Sequence, residues 1–314
     1  MTSIAPLSSV AGAWTALVTP FSADGLTVDL GRLEANIRAQ AVAGMTGVVP
    51  CGTTGETPTL ARDEWDMVVV RAIEVARAGG LRVMVGAGSY DTRTAINNHR
   101  RAADLGADAA LHVCPYYNRP SAEGLRRHFE AIADAAELPV VLYDIPGRTG
   151  VRLTMDTIHA LAAHPRIVGI KDATGGLETA IRVLIETDLE VLSGDDPMTL
   201  PLMALGGAGV VSVLGNLEPG RVARLVQLMA EERLAEAREL HAAVAPLAQA
   251  LLGVGPNPVP VKTAMASRGE DTGAVRAPLV PLDAAASAMI AALVDPGVAD
   301  PSVAASDPLG ATAR

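Results

Sequence analysis

Residues 166–193 read RIVGIKDATGGLETAIRVLIETDLEVLS. Ile167–Lys171 and Glu190–Ser193 are short apolar runs, and between them Leu177–Glu186 repeats its apolar residues with a helical period. A strand, a helix and a second strand in that order imply parallel pairing through a right-handed crossover. The same unit recurs along the chain. Further strand-like runs fall at Trp14–Thr19, Gly47–Cys51, Val83–Gly86, Ala109–Cys114, Val140–Tyr143 and Gly209–Val213. Helical periodicity covers Asp29–Ala43, Arg62–Arg77, Thr92–Leu105, Ser121–Ala135, Thr154–Ala163, Met198–Leu205 and Pro219–Ala230. Eight such units predict an α/β fold closed as a (β/α)8 TIM barrel over residues 10–230. An open, doubly wound sheet is the rival, but the first strand-to-helix turn, TPFSADG at 19–25, lacks a Gly-rich dinucleotide fingerprint. Residues 231–294 form a C-terminal extension with helices expected at Leu234–Leu251, Pro258–Arg268 and Asp283–Val294, interrupted by GVGPNPVP. The Pro-, Ala- and Ser-rich stretch 295–314 has no periodicity and is expected to be a disordered tail.

Composition narrows the function. Only eight of 314 residues are Trp, Tyr or Phe, so Ala, Val, Leu and Ile must fill the core and each aromatic is informative. A formal charge of −10 without a basic patch argues against nucleic acid, whose phosphates need clustered cations. The first 31 residues carry no Lys or Arg, and no apolar run approaches a bilayer span, so a cytoplasmic protein with no membrane partner is expected. Cys51 and Cys114 read as packed thiols, and the histidines lack ligand spacing, so neither a disulfide, a metal nor another cofactor is indicated.

Of 25 cationic side chains all but Lys171 and Lys262 are arginine. Arginine serves wherever a permanent charge suffices, whereas a desolvated lysine can lose its proton and act as a nucleophile. Lys171 closes a strand, where barrels build their active sites, and such an amine can form a Schiff base with a ketone. The alternative is a structural ion pair with Asp172 or another carboxylate. Alternation along the strand places Lys171 on one face with Gly169 and Ile167, the glycine leaving room for the lysine stem. Tyr143 ends the neighbouring strand and can relay protons, or else pack a rim loop. Thr53 and Thr54 offer hydroxyls and N–H groups to a carboxylate, or cap a turn. Arg148, on the loop after Tyr143, is a fork for a second carboxylate or an ordinary exposed arginine. LGGAGVVSVLGN at 205–216 reads either as a phosphate cradle or as glycines needed for close packing.

GTTGE at 52–56, PYYNRP at 115–120, YDIPGRTG at 143–150, Lys171 in GIKDATG, SGDD at 193–196, GGAGVVSV at 206–213 and NPVPVK at 257–262 occur in order. This set resembles the dihydrodipicolinate synthase and N-acetylneuraminate lyase family over residues 10–294. The threonine pair, the arginine of YDIPGRTG and NPVPVK are most similar to the branch that condenses pyruvate with aspartate semialdehyde on the way to diaminopimelate and lysine. The resemblance implies that Lys171 forms the Schiff base and that Tyr143, Thr53 and Tyr117 make a proton relay, Tyr117 coming from a neighbouring subunit. It also implies that Thr54 and the Val211 main chain hold pyruvate, that Arg148 holds the semialdehyde carboxylate, and that the assembly is a homotetramer built as a dimer of dimers. Trp65, Tyr90 and Thr94 stand where lysine-inhibited members resemble one another in having a histidine, an asparagine and a glutamate, so weak or absent inhibition by lysine is expected. Lys262 is expected to support the pocket wall or subunit contacts. A lyase or hydro-lyase of the same family acting on a sugar acid or hydroxy-oxo acid is the nearest rival, with Arg148 as discriminator. A non-catalytic anion-binding barrel is the remote one.

Overall fold

The computed structural model describes residues 9–294, so the tail expected at 295–314 lies outside the described residues. Strand β1 (Gly12–Ala16) leads to helix α1 (Leu30–Val42), β2 (Gly47–Val49) to α2 (Arg62–Ala78), β3 (Arg82–Gly86) to α3 (Thr92–Leu105) and β4 (Ala109–Val113) to α4 (Ala122–Ala133). After β5 (Val140–Asp144) come the four-residue α5 (Pro146–Thr149) and then α6 (Met155–Ala162). The pairs β6 (Ile167–Asp172) with α7 (Glu178–Glu186), β7 (Glu190–Ser193) with α8 (Thr199–Ala204) and β8 (Gly209–Ser212) with α9 (Pro219–Ala230) complete the ring. Every ladder is parallel, and β8 pairs with β1 from Gly12 opposite Gly209 to Thr15 opposite Ser212, which closes the barrel. The expectation of a closed (β/α)8 barrel holds, and the open-sheet alternative does not.

Local chemistry starts the helices where the period begins. Asp29 accepts from Arg32 N at α1, Asp91 from Thr94 N at α3 and Ser121 from Gly124 N at α4, each cap contributing about 1 kcal/mol. The short helix α5 was not expected, because four residues are too few to display a period.

Inside the barrel Val10, Trp14, Met84, Val141, Leu192 and Val211 pack as one apolar plug below the C-terminal mouth. Trp14 is fully buried and its Nε1 donates to Val10 O at 2.8 Å, so the indole is both apolar filler and a satisfied donor. Burying an indole removes about 200 Å2 from water, worth roughly 5 kcal/mol. Outside the barrel, helices α10 (Leu234–Gly253), α11 (Val259–Ser267) and α12 (Ala284–Val294) share a hydrophobic cluster with the barrel helices, joining Leu251, Val261, Met265 and Ile290 to Leu33, Val68 and Val222. No described helix is long and apolar enough to cross a membrane.

One expectation about β6 needs correction. Val140 pairs with Ile167 but Val141 pairs with Gly169, so Val168 is an extra residue and the alternation breaks there. Ile167 consequently packs in the outer cluster with Val140 and Leu161, and Val168 packs against the interior plug. Gly169 does keep the inward register, but it makes no room for the lysine stem. A Cβ there would lie 2.7 Å from Glu190 O and 3.1 Å from Val10 Cγ2, so the glycine admits the neighbouring strand and the plug.

Candidate active site

The parallel register of β5 and β6 sets Tyr143 beside Lys171 at the mouth. Both are nearly buried, at 6% and 5% exposure, and Lys171 Nζ sits 4.2 Å from the centroid of the Tyr143 ring. Space for the lysine comes from the next strand. A Cβ on Gly194 would stand 3.1 Å from Lys171 Cε and 2.9 Å from Asp172 O, so only a glycine lets β7 turn away under the amine. Asp172 follows Lys171 and therefore faces outward. Its Oδ1 accepts from Thr174 N at 2.8 Å and Thr174 Oγ1 at 2.7 Å, which removes the alternative of a strut between Lys171 and Asp172.

Lys171 and Tyr143 form the floor of a cavity of about 480 Å3 whose walls include Thr53, Thr54, Tyr116, Arg148 and Asn257. The first threonine is half-buried and the second is buried on the turn after β2. Asn257 Nδ2 donates to Thr54 Oγ1 at 2.9 Å, and Arg148 Nη2 donates to Asn257 O at 3.3 Å. Helix α5 carries Arg148 with its guanidinium exposed at the rim, so a cationic fork and two hydroxyls face the amine across one space. Of the residues singled out from sequence, Lys171, Tyr143, Thr53, Thr54 and Arg148 come together.

Two do not join them within one chain. Val211 is fully buried in the barrel plug and does not line the cavity. Tyr117 lies outside it at 93% exposure with φ +70, on a loop held where Asn118 Nδ2 donates to Tyr90 O at 3.0 Å. Its neighbour Tyr116 points in instead and meets Tyr90 edge-on at a ring separation of 5.3 Å. Burial, with Tyr90 adding to it, raises the Tyr116 phenol. Sequence reading missed Tyr116, because the two adjacent tyrosines of PYYNRP differ in nothing but the direction the loop gives them.

The glycine-rich stretch at 205–216 is not an open phosphate cradle. The N–H groups of Val213 and Leu214 donate to Asp196 Oδ2 at 2.9 and 3.0 Å, and that of Gly215 donates to Ser212 Oγ at 2.8 Å. Asp196 also takes a short hydrogen bond from Ser212 Oγ, and burial raises its carboxyl. SGDD and the turn after β8 thus satisfy each other. Cys51 and Cys114 are buried free thiols, as expected.

These features define a class: a (β/α)8 barrel whose mouth carries one buried lysine beside a tyrosine, with hydroxyl and guanidinium groups opposite. Comparison with known proteins agrees. The model of the dihydrodipicolinate synthetase family matches residues 9–296. A 4-hydroxy-tetrahydrodipicolinate synthase of Methanosphaerula palustris is 46% identical over 89% of this chain and 96% of its own length. The solved 4-hydroxy-tetrahydrodipicolinate synthase of Methylacidiphilum fumariolicum superposes with a TM-score of 0.88 at 40% identity, covering 91% of this chain and 95% of that one. A dihydrodipicolinate synthase from Acinetobacter baumannii, solved with pyruvate, matches with the same TM-score at 38% identity over 91% and 98% of the two chains. The chain belongs to the dihydrodipicolinate synthetase family.

Proposed function

We propose that this protein is a lyase that condenses pyruvate with aspartate 4-semialdehyde to give 4-hydroxy-tetrahydrodipicolinate, in lysine and diaminopimelate biosynthesis. The observation that carries the reading is the buried Lys171 amine, 4.2 Å from the Tyr143 ring, on the floor of a cavity with Thr53, Thr54 and Arg148 around it. The free amine attacks C2 of pyruvate, and loss of water leaves an iminium on Lys171. The iminium withdraws electrons from C3, so removal of a proton there gives an enamine that attacks the aldehyde carbon. The α-amino group of the bound semialdehyde then displaces Lys171 as the ring closes, which regenerates the amine.

Tyr143 carries protons to and from the carbinolamine through its hydroxyl, linked to Thr53 and to Tyr117 of a neighbouring copy. The exposure of Tyr117 and its outward-turned loop support that loan, since the ring has no place in its own cavity. Thr54 holds the pyruvate carboxylate, and Arg148 grips the carboxylate of the semialdehyde. Arg148 favours this reading over sugar-acid cleavage, where a site reads hydroxyls. A homotetramer in the cytoplasm is the expected setting.

Borohydride reduction in the presence of pyruvate tests the chemistry. The reduced adduct should appear on the peptide containing Lys171 and be missing from Lys171→Arg. An unmodified wild-type peptide, or a Lys171→Arg variant with wild-type turnover, would refute the proposal. Turnover with aspartate semialdehyde against cleavage of sugar acids then separates the two lyase readings.

A further inference from the structure

The second lysine of the chain is the more deeply buried of the two. Lys262, on α11, has 0% exposure, and its Nζ donates to Glu56 Oε1 and to Thr19 O, both at 2.9 Å, over the face of Phe21 at 4.2 Å. Its partner Glu56 is the last residue of the GTTGE turn. That turn is bracketed by Cys51 at φ +57 and Glu56 at φ +52, two side-chain-bearing residues in left-handed conformations that must be held from outside. What holds Glu56 is specific. Its Oε2 accepts from Arg276 N at 2.9 Å, and its carbonyl accepts from Thr59 N and Thr59 Oγ1, each at 3.0 Å. Thr19, whose carbonyl Lys262 also binds, donates its hydroxyl to Gly55 O at 2.7 Å.

The grip has a second point on the same segment. Asn257, five residues before Lys262, donates to Thr54 Oγ1, so the first and last residues of NPVPVK hold the third and last residues of GTTGE. We infer that Lys262 is a positioning residue for the proposed reaction: its ion pair with Glu56 fixes the turn that presents Thr54 to the pyruvate carboxylate and Thr53 to the Tyr143 relay. The inference rests on the function proposed above. It also gives the extension after the barrel a part in substrate binding, because α11 reaches across to a turn some 200 positions earlier in the chain.

Lys262→Met removes the amine while keeping most of the stem volume. The pyruvate concentration for half-maximal borohydride trapping should rise at least about tenfold, as expected when a charge-assisted contact behind the binding turn is lost. The half-saturating concentration of aspartate semialdehyde should move less than that of pyruvate, because Arg148 is carried by α5 and meets this segment only through the Asn257 carbonyl. Lys262→Arg should recover part of the pyruvate response. If Lys262→Met alone does not fold, the double variant Glu56→Gln/Lys262→Met removes both buried charges together and leaves neither unpaired, and the same shift is expected. Amide hydrogen exchange supplies a readout that needs no chemistry. Peptides covering 52–60 should lose protection while those of β5 and β6 do not. A folded variant with wild-type half-saturation for pyruvate and wild-type protection at 52–60 overturns the inference. Failure of the wild-type protein to trap pyruvate at all would instead refute the proposed function, and the exchange data would still decide whether Lys262 holds the turn.

Discussion

Replacing Asp144 by Asn should gain stability on the wild type as pH rises, and the variant should be the more stable protein above about pH 7. Asp144 ends β5 directly after Tyr143, is fully buried, and stands in register with Asp172 on β6. Its Oδ2 accepts from Leu153 N at 3.2 Å, and its Oδ1 has no partner. Burial pushes the carboxyl from 3.8 up to about 7; the Leu153 N–H and Arg152 oppose that rise, and Asp172 adds to it. A carboxyl raised in the folded state contributes stability that is complete below pH 4 and is lost as pH rises towards 7, because the unfolded chain ionises first. At 1.36 kcal/mol per pH unit, the ionised side chain at pH 8 costs about 4 kcal/mol relative to its neutral form. Asn cannot ionise. It places an NH2 where Oδ1 now lacks a partner, a penalty of about 1 to 3 kcal/mol that does not vary with pH. The difference between variant and wild type therefore isolates the titration and should grow by about 2 to 3 kcal/mol between pH 5 and pH 8. Urea unfolding of both proteins, at matched concentration and several pH values in that range, measures it. His99 and His128, which burial lowers to about 4, destabilise both proteins equally as pH falls below 6.5, so they cancel in the comparison. A difference that stays constant across the range would refute the reasoning.

Two further outcomes follow from the site. Gly194→Ala should lower the rate of pyruvate trapping on Lys171 by about a hundredfold, because the new Cβ meets Lys171 Cε and the rigid Asp172 carbonyl and must displace the amine; a trapping rate equal to wild type would show that the strand end is not constrained as described. L-Lysine should inhibit weakly or not at all in a steady-state assay, and inhibition at sub-millimolar lysine would overturn this. The positions in question hold Trp65, whose Nε1 donates to Gly86 O at 3.4 Å, the exposed Tyr90, and Thr94, whose hydroxyl donates to the capping Asp91 at 2.6 Å. None of them offers a carboxylate to an effector's amine.

The sequence by itself determined the order and type of the barrel's elements, because the periods of 2.0 and 3.6 residues are properties of a few consecutive side chains. It also determined that Lys171 and Tyr143 meet. Each ends a strand, consecutive strands of such a barrel are neighbours, and parallel register carries their ends to the same mouth. Tertiary structure alone decided where alternation breaks, since the extra residue at Val168 answers to the pairing of β5 with β6 and not to any local pattern. Only closure of the barrel showed that Gly194, not Gly169, makes room for the amine, and that Tyr116 turns inward while Tyr117 turns out. The hold of Asn257 and Lys262 on Thr54 and Glu56 was equally hidden. Contacts between residues some 200 positions apart leave no mark on local hydrophobic spacing, and they exist only once α11 has packed against the turn after β2.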